Sequence, residues 1–465
     1  MKKIIKVLKW SAIIVFTIPA LIYLVWLTGN LKNHELDAEI ASLLSRRVIQ
    51  LDEKSNAYFD TVGLSAPNHM EPHAWGVALF TQVRANDRAL NEGKTPTGIK
   101  LEGYPTGSIS TELPCFKKDS KLSCLEEIAA DPSVVKKVLD NESLLLKRFD
   151  STLGKSYQEP ERDMNYQSDL VSIAPKVRVA KLALIRNGLE IIKGHDDDAL
   201  SKWEKETTFL LYQAKESHGL IEKVVLIYAL DHYQKLLSDY LSLYPHRAKI
   251  RAKKIRAMLE PFKKESVSLQ SSFEYEAIYA STFILSVEDW AKMYFSDDPN
   301  AAQIFLGQVL MPFFDKRATA NQMALSHLRW SRIIALEGDS YRIARKEMAK
   351  EIAVDQNSSI FGTLRYHNPV GKIMLQAAVV DASQYCFKSD NIIANKILLN
   401  FAFSMASQNV IRTDQINRAI QKRQLDLKHP FCGVLPVWDE NSRTFSYPNP
   451  EQTNVLNFKP LLIKL

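Results

Sequence analysis

Residues 224–244 read VVLIYALDHYQKLLSDYLSLY, a run whose apolar side chains fall on most faces of an α-helix. A helix on the surface of a globular protein carries a single apolar stripe, whereas one that is apolar nearly all round is buried. Asp231, His232, Lys235 and Asp239 interrupt the run, and ionisable residues are rare within membrane-spanning helices. The run therefore predicts the central helix of a folded helical core.

The composition extends this prediction to the whole chain. Only 16 of the 465 residues are glycine, about half the average usage of roughly 7%. Doubly wound α/β folds and β-sandwiches need glycine at phosphate loops, tight turns and bulges. No fixed period of 34 or 40 residues, as in helical repeat proteins, runs through the sequence. We therefore expect a mainly α protein, an irregular multi-helix array.

The first 28 residues predict a membrane anchor. An apolar run, whose only polar residues are Ser11 and Thr17, extends from Trp10 to Leu27 and follows four lysines, Lys2, Lys3, Lys6 and Lys9. Its 18 residues would span about 27 Å as a helix, enough for a thin hydrocarbon core. Because lysines flanking a transmembrane helix stay on the cytoplasmic side, we expect residues 1–9 to form a cytoplasmic tail and residues 10–28 a transmembrane anchor. The implied protein is a single-pass inner-membrane protein whose bulk lies in the periplasm.

A cleaved signal peptide is the alternative for this segment. Such a peptide has a shorter apolar region and a cleavage site with small residues at positions −3 and −1. The candidate pairs here, Ile18 with Ala20 and Leu27 with Gly29, place a bulky residue at −3. An uncleaved anchor is the better interpretation.

Beyond the anchor we divide the chain into three parts. Residues 29–127 form an N-terminal helical segment that ends in an irregular, glycine-rich loop closed by cysteines, and residues 128–427 form a helical domain. Residues 428–465 contain two short strands about a turn at Asp439–Ser442, followed by a tail. A short C-terminal β-hairpin is thus expected behind the helices.

Four cysteines bear on the compartment. In the periplasm an even number of cysteines favours two disulfides. Cys115 and Cys124 flank a short polar loop, and Cys386 with Cys432 is then the remaining pair. Four reduced, buried thiols are the alternative.

The motifs of common enzyme classes are absent or incomplete. No P-loop, Rossmann fingerprint, G-x-S-x-G or H-E-x-x-H motif occurs. Ser133–Lys136 and Ser389–Asn391 match two motifs of penicillin-recognising enzymes, but the third, K-T-G, is missing after them. Glu216-Ser217 resembles the catalytic pair of lytic transglycosylases, in which a buried Glu protonates a glycosidic oxygen. The G-L-M-Q motif that should follow is missing, so a helix end is the better account of Glu216, our one catalytic candidate.

Charged clusters supply the remaining candidates. A run of basic side chains could contact an anionic wall polymer, a lipid surface or an acidic partner, although a solvated helix face is the simpler reading: Arg247, Lys249, Arg251, Lys253, Lys254 and Arg256. The periplasmic location argues against nucleic acid as the partner. His195 with Asp196–Asp198 could offer metal ligands, but neighbouring side chains diverge on a helix, and capping is the better explanation. We expect no metal or cofactor.

Two segments resemble a group of known proteins. Residues 429–447, HPFCGVLPVWDENSRTFSY, resemble the D-P-F-x-G-x-P ending of uncharacterised, membrane-anchored proteobacterial proteins, with His429 where those endings carry Asp. Their N-terminal segment resembles Asn56-Ala57-Tyr58, Gly63-Leu64-Ser65-Ala66-Pro67, His73 and Gly76. The resemblance implies an envelope protein of Gram-negative bacteria and supplies no activity.

Taken together, these features favour a non-enzymatic role. We expect the periplasmic helical domain to bind or scaffold an envelope partner. The alternative is a periplasmic peptidoglycan hydrolase of the lytic transglycosylase type. A buried carboxylate in a deep cleft would favour the hydrolase, and an exposed apolar groove would favour binding.

Overall fold

The computed structural model describes most of the chain between residues 34 and 448. The described ranges are 34–45, 53–92, 94–99, 101–102, 113–116, 122–162, 168, 171–286, 300–356, 368–378, 382–408, 412–430, 433–448 and 463–464, with single positions at 17, 20, 21, 23, 24, 27, 28 and 30.

The protein is mainly helical, which confirms the prediction from its composition. In chain order the helices are α1 Ala38–Leu44, α2 Ala57–Val62, α3 Pro72–Asn91, α4 Cys124–Ala130, α5 Pro132–Asn141, α6 Ser143–Thr152, α7 Ala174–Ile192, α8 Asp196–Glu216, α9 Leu220–Leu243, α10 Pro245–Ile250, α11 Ala252–Leu259, α12 Lys264–Val267, α13 Gln270–Ser286, α14 Ala301–Leu310, α15 Lys316–Ala335, α16 Gly338–Gln356, α17 Pro369–Ala378, α18 Ser383–Ser407 and α19 Thr413–Lys422. Single 3₁₀ turns occupy Gly63–Ser65 and Met311–Phe313.

Helix α9 is the central helix that the sequence predicted. It packs against α7, α8 and α18, and its buried residues include Leu230, Tyr233, Leu236 and Leu237, each fully shielded from solvent. Three-residue connections join α7 to α8 and α8 to α9. Connections this short place consecutive helices side by side, so α7, α8 and α9 form the layered centre of the molecule.

The N-terminal half adds a second apolar cluster against α7. Two glycines permit its close helix packing: a Cβ at Gly76 would lie 1.9 Å from the carbonyl oxygen of Phe59, and one at Gly63 would lie 1.8 Å from that of Pro72. Asn56 starts α2, because its Oδ1 accepts the backbone N–H of Tyr58 at 3.0 Å. The residues that carry the resemblance therefore hold the tightest backbone approaches of this half.

Helix α4 lies across the proposed boundary between residues 127 and 128. Leu125 belongs to the apolar cluster around α9, whereas Ile128 belongs to the apolar cluster of the N-terminal half. The division of the chain into domains stays a prediction.

The C-terminal strands form the expected hairpin. Strand β1 (Val437–Asp439) pairs antiparallel with β2 (Thr444–Ser446), with Trp438 opposite Phe445. A third strand, β3 (Ile463–Lys464), which the sequence did not indicate, pairs with the other edge of β2. Phe445 packs edge-on against Phe401 of α18 at 5.3 Å, so the sheet is fixed to the helical core.

The predicted anchor falls mostly outside the described residues. Residues 1–9 and the greater part of 10–28 are not described, and those that are, Thr17, Ala20, Leu21, Tyr23, Leu24, Leu27 and Thr28, are helical. Within the described part of the chain, no helix has the length and apolar content needed to cross a membrane. The transmembrane anchor therefore stays a prediction.

Candidate functional site

A shallow apolar groove runs along the molecule between α7 and α9. Two depressions lie in it, floored by Ala180 and bordered by Val177 of α7 and by Val225 and Ala229 of α9. Each has a volume of about 10 Å³, enough for one water molecule. Small-molecule pockets measure roughly 300–1,000 Å³, so this groove is not built for one.

Helix α9 presents large apolar side chains on the rim of the groove. Tyr228 is 43% exposed and borders the first depression. Ile221, 65% exposed, lies one turn before Val225 on the same side of the helix. Exposed apolar residues that form one continuous strip, unlike scattered ones, are typical of binding surfaces.

One end of the groove is cationic and aromatic. The Lys181 ammonium lies 4.6 Å from the ring centroid of Phe116, and no carboxylate pairs with it among the described residues. The His232 ring lies between those of Phe116 and Tyr228, tilted against the first at 4.7 Å and edge-on to the second at 4.5 Å. Burial lowers the pKa of His232 to about 4, so its ring is neutral at neutral pH, and its buried Nε2 has no hydrogen-bond partner among the residues that the structure describes. This end can receive an anionic or hydrogen-bonding group.

The other end is closed by a buried ion pair. Lys176 Nζ donates to Glu222 Oε1 at 2.6 Å, and the Tyr157 hydroxyl donates to the same oxygen at 3.1 Å. The Lys176 ammonium also lies 5.1 Å from the ring centroid of Tyr58. Because the charges are neutralised within the protein, this end is a fixed wall.

A second carboxylate, Glu159, lies beside the start of the central helix. Gly219 precedes α9 and offers no capping side chain. Glu276 Oε1 accepts the backbone N–H of Leu220, the first residue of α9, at 3.2 Å, and Glu159 Oε2 accepts that of His218, just before the helix, at 2.6 Å. The start of α9 is thus held by acids from two other segments.

 
Burial raises the pKa of Glu159 to about 7, and the negative charge of Glu222 acts in the same direction. Burial also lowers the pKa of Lys223 to about 8, although its Nζ donates to Ser271 Oγ at 2.9 Å. A carboxyl with a pKa near 7 can give up or hold a proton at neutral pH, which is the property of a general acid. Glu159 therefore has the proton affinity of a general acid, as does Asp239, whose pKa burial also raises to about 7.

Glu216, the catalytic candidate from the sequence, occupies a different position. It ends α8, its side chain is 29% exposed, and its carboxylate lies 3.4 Å from the Lys215 ammonium. The carboxylates at the groove and beside the start of α9 are Glu222 and Glu159. Neither lies in a motif, so the sequence did not single them out as catalytic residues. The available signal was Gly219, because a helix that begins after glycine without a capping side chain needs an acceptor from elsewhere.

The basic run and the acidic run, considered separately in the sequence, contact each other. Arg247 Nε donates to Asp196 Oδ2 at 2.9 Å, and Arg251 lies 3.1 Å from the same carboxylate. Arg251 also pairs with Asp197, and Lys254 Nζ donates to Ser201 Oγ at 3.0 Å. Much of the positive charge of the basic run is thus neither free in solvent nor directed at a partner, because it holds α10 and α11 against the start of α8.

The other members of the basic run lie differently. Lys253 is exposed, whereas Lys249 and Arg256 are partly buried. Their contact with an anionic partner stays a prediction. His195, the metal candidate beside the acidic run, lies 2.8 Å from Glu190 through its Nδ1. Within the described ranges, no group of three or more His, Cys, Asp or Glu side chains could hold a metal ion.

The first of the two expected disulfides is present. Cys115 and Cys124 are bridged, with their Cα atoms 4.4 Å apart, and the backbone N–H of Cys115 donates to Glu127 Oε2 at 2.6 Å. The bridge holds Phe116 at the end of the groove. Cys386 is buried, and Cys432 lies outside the described residues, so the second pairing stays a prediction.

The motif fragments of penicillin-recognising enzymes have structural roles in the core. Ser389 Oγ donates to the carbonyl oxygen of Val267, and Asp390 Oδ2 accepts the Tyr341 hydroxyl at 2.7 Å. Asn391 Oδ1 lies 3.0 Å from His429 Nε2. These contacts fix α18 to its neighbours.

Comparison with known proteins adds no assignment. The chain matches no family model, no curated protein and no solved structure. Any statement about function must therefore come from the groove and the buried carboxylates.

Proposed function

We propose that this chain is a single-pass inner-membrane protein whose periplasmic helical domain binds an envelope protein through the groove between α7 and α9. The observation that carries the proposal is the strip of exposed apolar side chains along this groove, which includes Ile221 and Tyr228, beside the partly buried Val225. Burial of apolar area is the main driving force of protein association. The apolar run at residues 10–28 supports the location of the protein.

The groove also indicates the chemistry of the partner. Apolar side chains small enough to enter shallow depressions would lie against Val177 and Ala229. A carboxylate at one end of the bound segment would meet the Lys181 ammonium, which makes no ion pair within the described part of the chain. We therefore propose an apolar polypeptide segment with an acidic group at one end.

Co-purification of the full-length protein after mild detergent extraction tests this proposal. Val225→Asp places a charge in the groove, and Lys181→Glu reverses the charge at its end. We expect each to reduce the recovered partner at least tenfold, since a buried unpaired charge costs several kcal/mol. Leu425→Asp is the matched control, because Leu425 is 80% exposed and lies outside the groove lining. Recovery of the same partner with all three variants would refute the proposal.

A second candidate function is a periplasmic peptidoglycan hydrolase of the lytic transglycosylase type. The observation that favours it is the buried Glu159 carboxyl, whose pKa is raised to about 7 by burial. Digestion of purified cell-wall sacculi by the full-length protein tests this candidate. Release of soluble wall fragments by the wild type, lost in Glu159→Gln and kept in Glu216→Gln, would establish it. No release by the wild type would exclude it.

A further inference from the structure

Helix α14 is an exposed helix without any charged residue. It comprises Ala301–Leu310, whose sequence is AAQIFLGQVL. Phe305 is 67% exposed and Ile304 is 42% exposed. A helix that faces water normally carries a charged or strongly polar outer face. The outer face of α14 is unsuited to water.

The end of α14 contacts the apolar N-terminal run. The Tyr23 hydroxyl donates to the carbonyl oxygen of Val309 at 3.3 Å. The Tyr23 ring meets that of Phe313 edge-on, with centroids 5.3 Å apart, and Leu27 packs against the same apolar cluster. Two points of the N-terminal run are thus fixed beside α14.

The residues of the N-terminal run that turn away from this contact are also apolar and exposed. Leu21 is 55% exposed and Leu24 is 53% exposed. With Ile304 and Phe305 they place exposed apolar side chains on both of the elements that meet at Tyr23. Scattered exposed apolar residues are ordinary, whereas exposed apolar residues on two contacting elements are typical of an interaction surface.

We propose that α14 is an interfacial helix that lies on the periplasmic surface of the inner membrane, with Ile304 and Phe305 inserted among the lipids. The inference rests on the proposed anchor at residues 10–28. The lipid bilayer is the occupant because α14 touches the segment that enters it, and a helix with one exposed apolar face binds lipid in the plane of the interface. Tyr23 then lies at the interface, where tyrosine is enriched.

This arrangement gives the periplasmic domain two contacts with the bilayer. A single transmembrane helix allows a domain to pivot, whereas an additional interfacial helix fixes one face towards the membrane. The basic side chains of α10 and α11 are not needed for this contact, since it is apolar.

Photo-crosslinking of the full-length protein in its membrane tests the inference. A benzophenone amino acid replaces Val15 in the proposed anchor, Phe305 in α14, or Leu425, an exposed control residue in the turn that follows α19. We expect lipid adducts from positions 15 and 305, and none from position 425.

The outcomes separate this inference from the proposed function. Lipid adducts at position 15 alone would overturn the inference and leave the anchor in place. Crosslinks from position 305 to another protein, or to a second copy of this chain, would also overturn it. Absence of lipid adducts at position 15 would overturn the proposed anchor, and with it the membrane location on which the inference rests.

Discussion

The buried carboxyl of Glu159 makes the stability of this protein dependent on pH. Its pKa is about 7 in the folded protein, raised by burial, against 4.5 for the unfolded chain. Between these values the folded state binds more protons than the unfolded state, so its stability falls as the pH rises. The contribution is fully present below pH 4.5 and is lost as the pH passes through 7. The difference corresponds to at most about 3 kcal/mol.

Substitution Glu159→Gln removes this titration and keeps an oxygen that can accept the His218 N–H. We expect the variant and the wild type to have similar stability at pH 4.5, with the variant about 2–3 kcal/mol more stable at pH 8. Burial alone lowers the pKa values of His327 and His429, so these histidines affect both proteins equally and cancel in the difference.

Urea unfolding of the full-length protein in an uncharged detergent, followed by tryptophan fluorescence between pH 4.5 and 8, measures this difference. Trp75, Trp203 and Trp330 are buried and report unfolding. Glu216→Gln is the matched control, because its carboxylate is partly exposed on the neighbouring helix end. Parallel pH profiles for Glu159→Gln and the wild type would refute the reasoning.

Three further predictions concern the elements that support the groove, each measured by urea unfolding. Joint replacement of Cys115 and Cys124 by alanine should lower the free energy of unfolding by about 2.5 kcal/mol, the loss expected for a short disulfide loop. An unchanged urea midpoint of unfolding would contradict this prediction. Gly76→Ala should lower the free energy of unfolding by about 2 kcal/mol despite the better helix propensity of alanine, because the added methyl group would lie 1.9 Å from the Phe59 carbonyl oxygen. A variant more stable than the wild type would show that the two helices can separate freely. Asp196→Asn should lower the free energy of unfolding by about 2 kcal/mol, because Arg247 and Arg251 lose the carboxylate with which they pair. Asp198 is exposed, so Asp198→Asn should change the free energy of unfolding little. Equal effects of the two substitutions would contradict the assigned ion pairs.

The fold class could be predicted because its signals are local. The apolar run of residues 224–244, with side chains on most faces of a helix, identified the central helix. The turn at Asp439–Ser442 identified the hairpin. The third strand escaped prediction because Ile463–Lys464 is two residues long and carries no pattern of its own.

The candidate site could not be predicted, because its residues meet only after folding. Lys176 and Glu222 are 46 positions apart, and Arg247 and Asp196 are 51 apart. Their approach depends on how α7, α8, α9 and α10 pack. The sequence showed the two charged runs but not that they neutralise each other, so a solvated face or an anionic partner was expected for the basic run, and not its contact with the acidic run.

Site-specific photo-crosslinking from the groove is the most direct measurement of the proposed binding function. A benzophenone amino acid at Tyr228 of the full-length protein, irradiated in living cells, places the reactive group on the rim of the groove. We expect one discrete protein adduct, weakened by Lys181→Glu and absent when the group is placed at Leu425. A chain that forms no protein adduct from position 228, or the same adducts from position 425, would contradict a binding role for the groove.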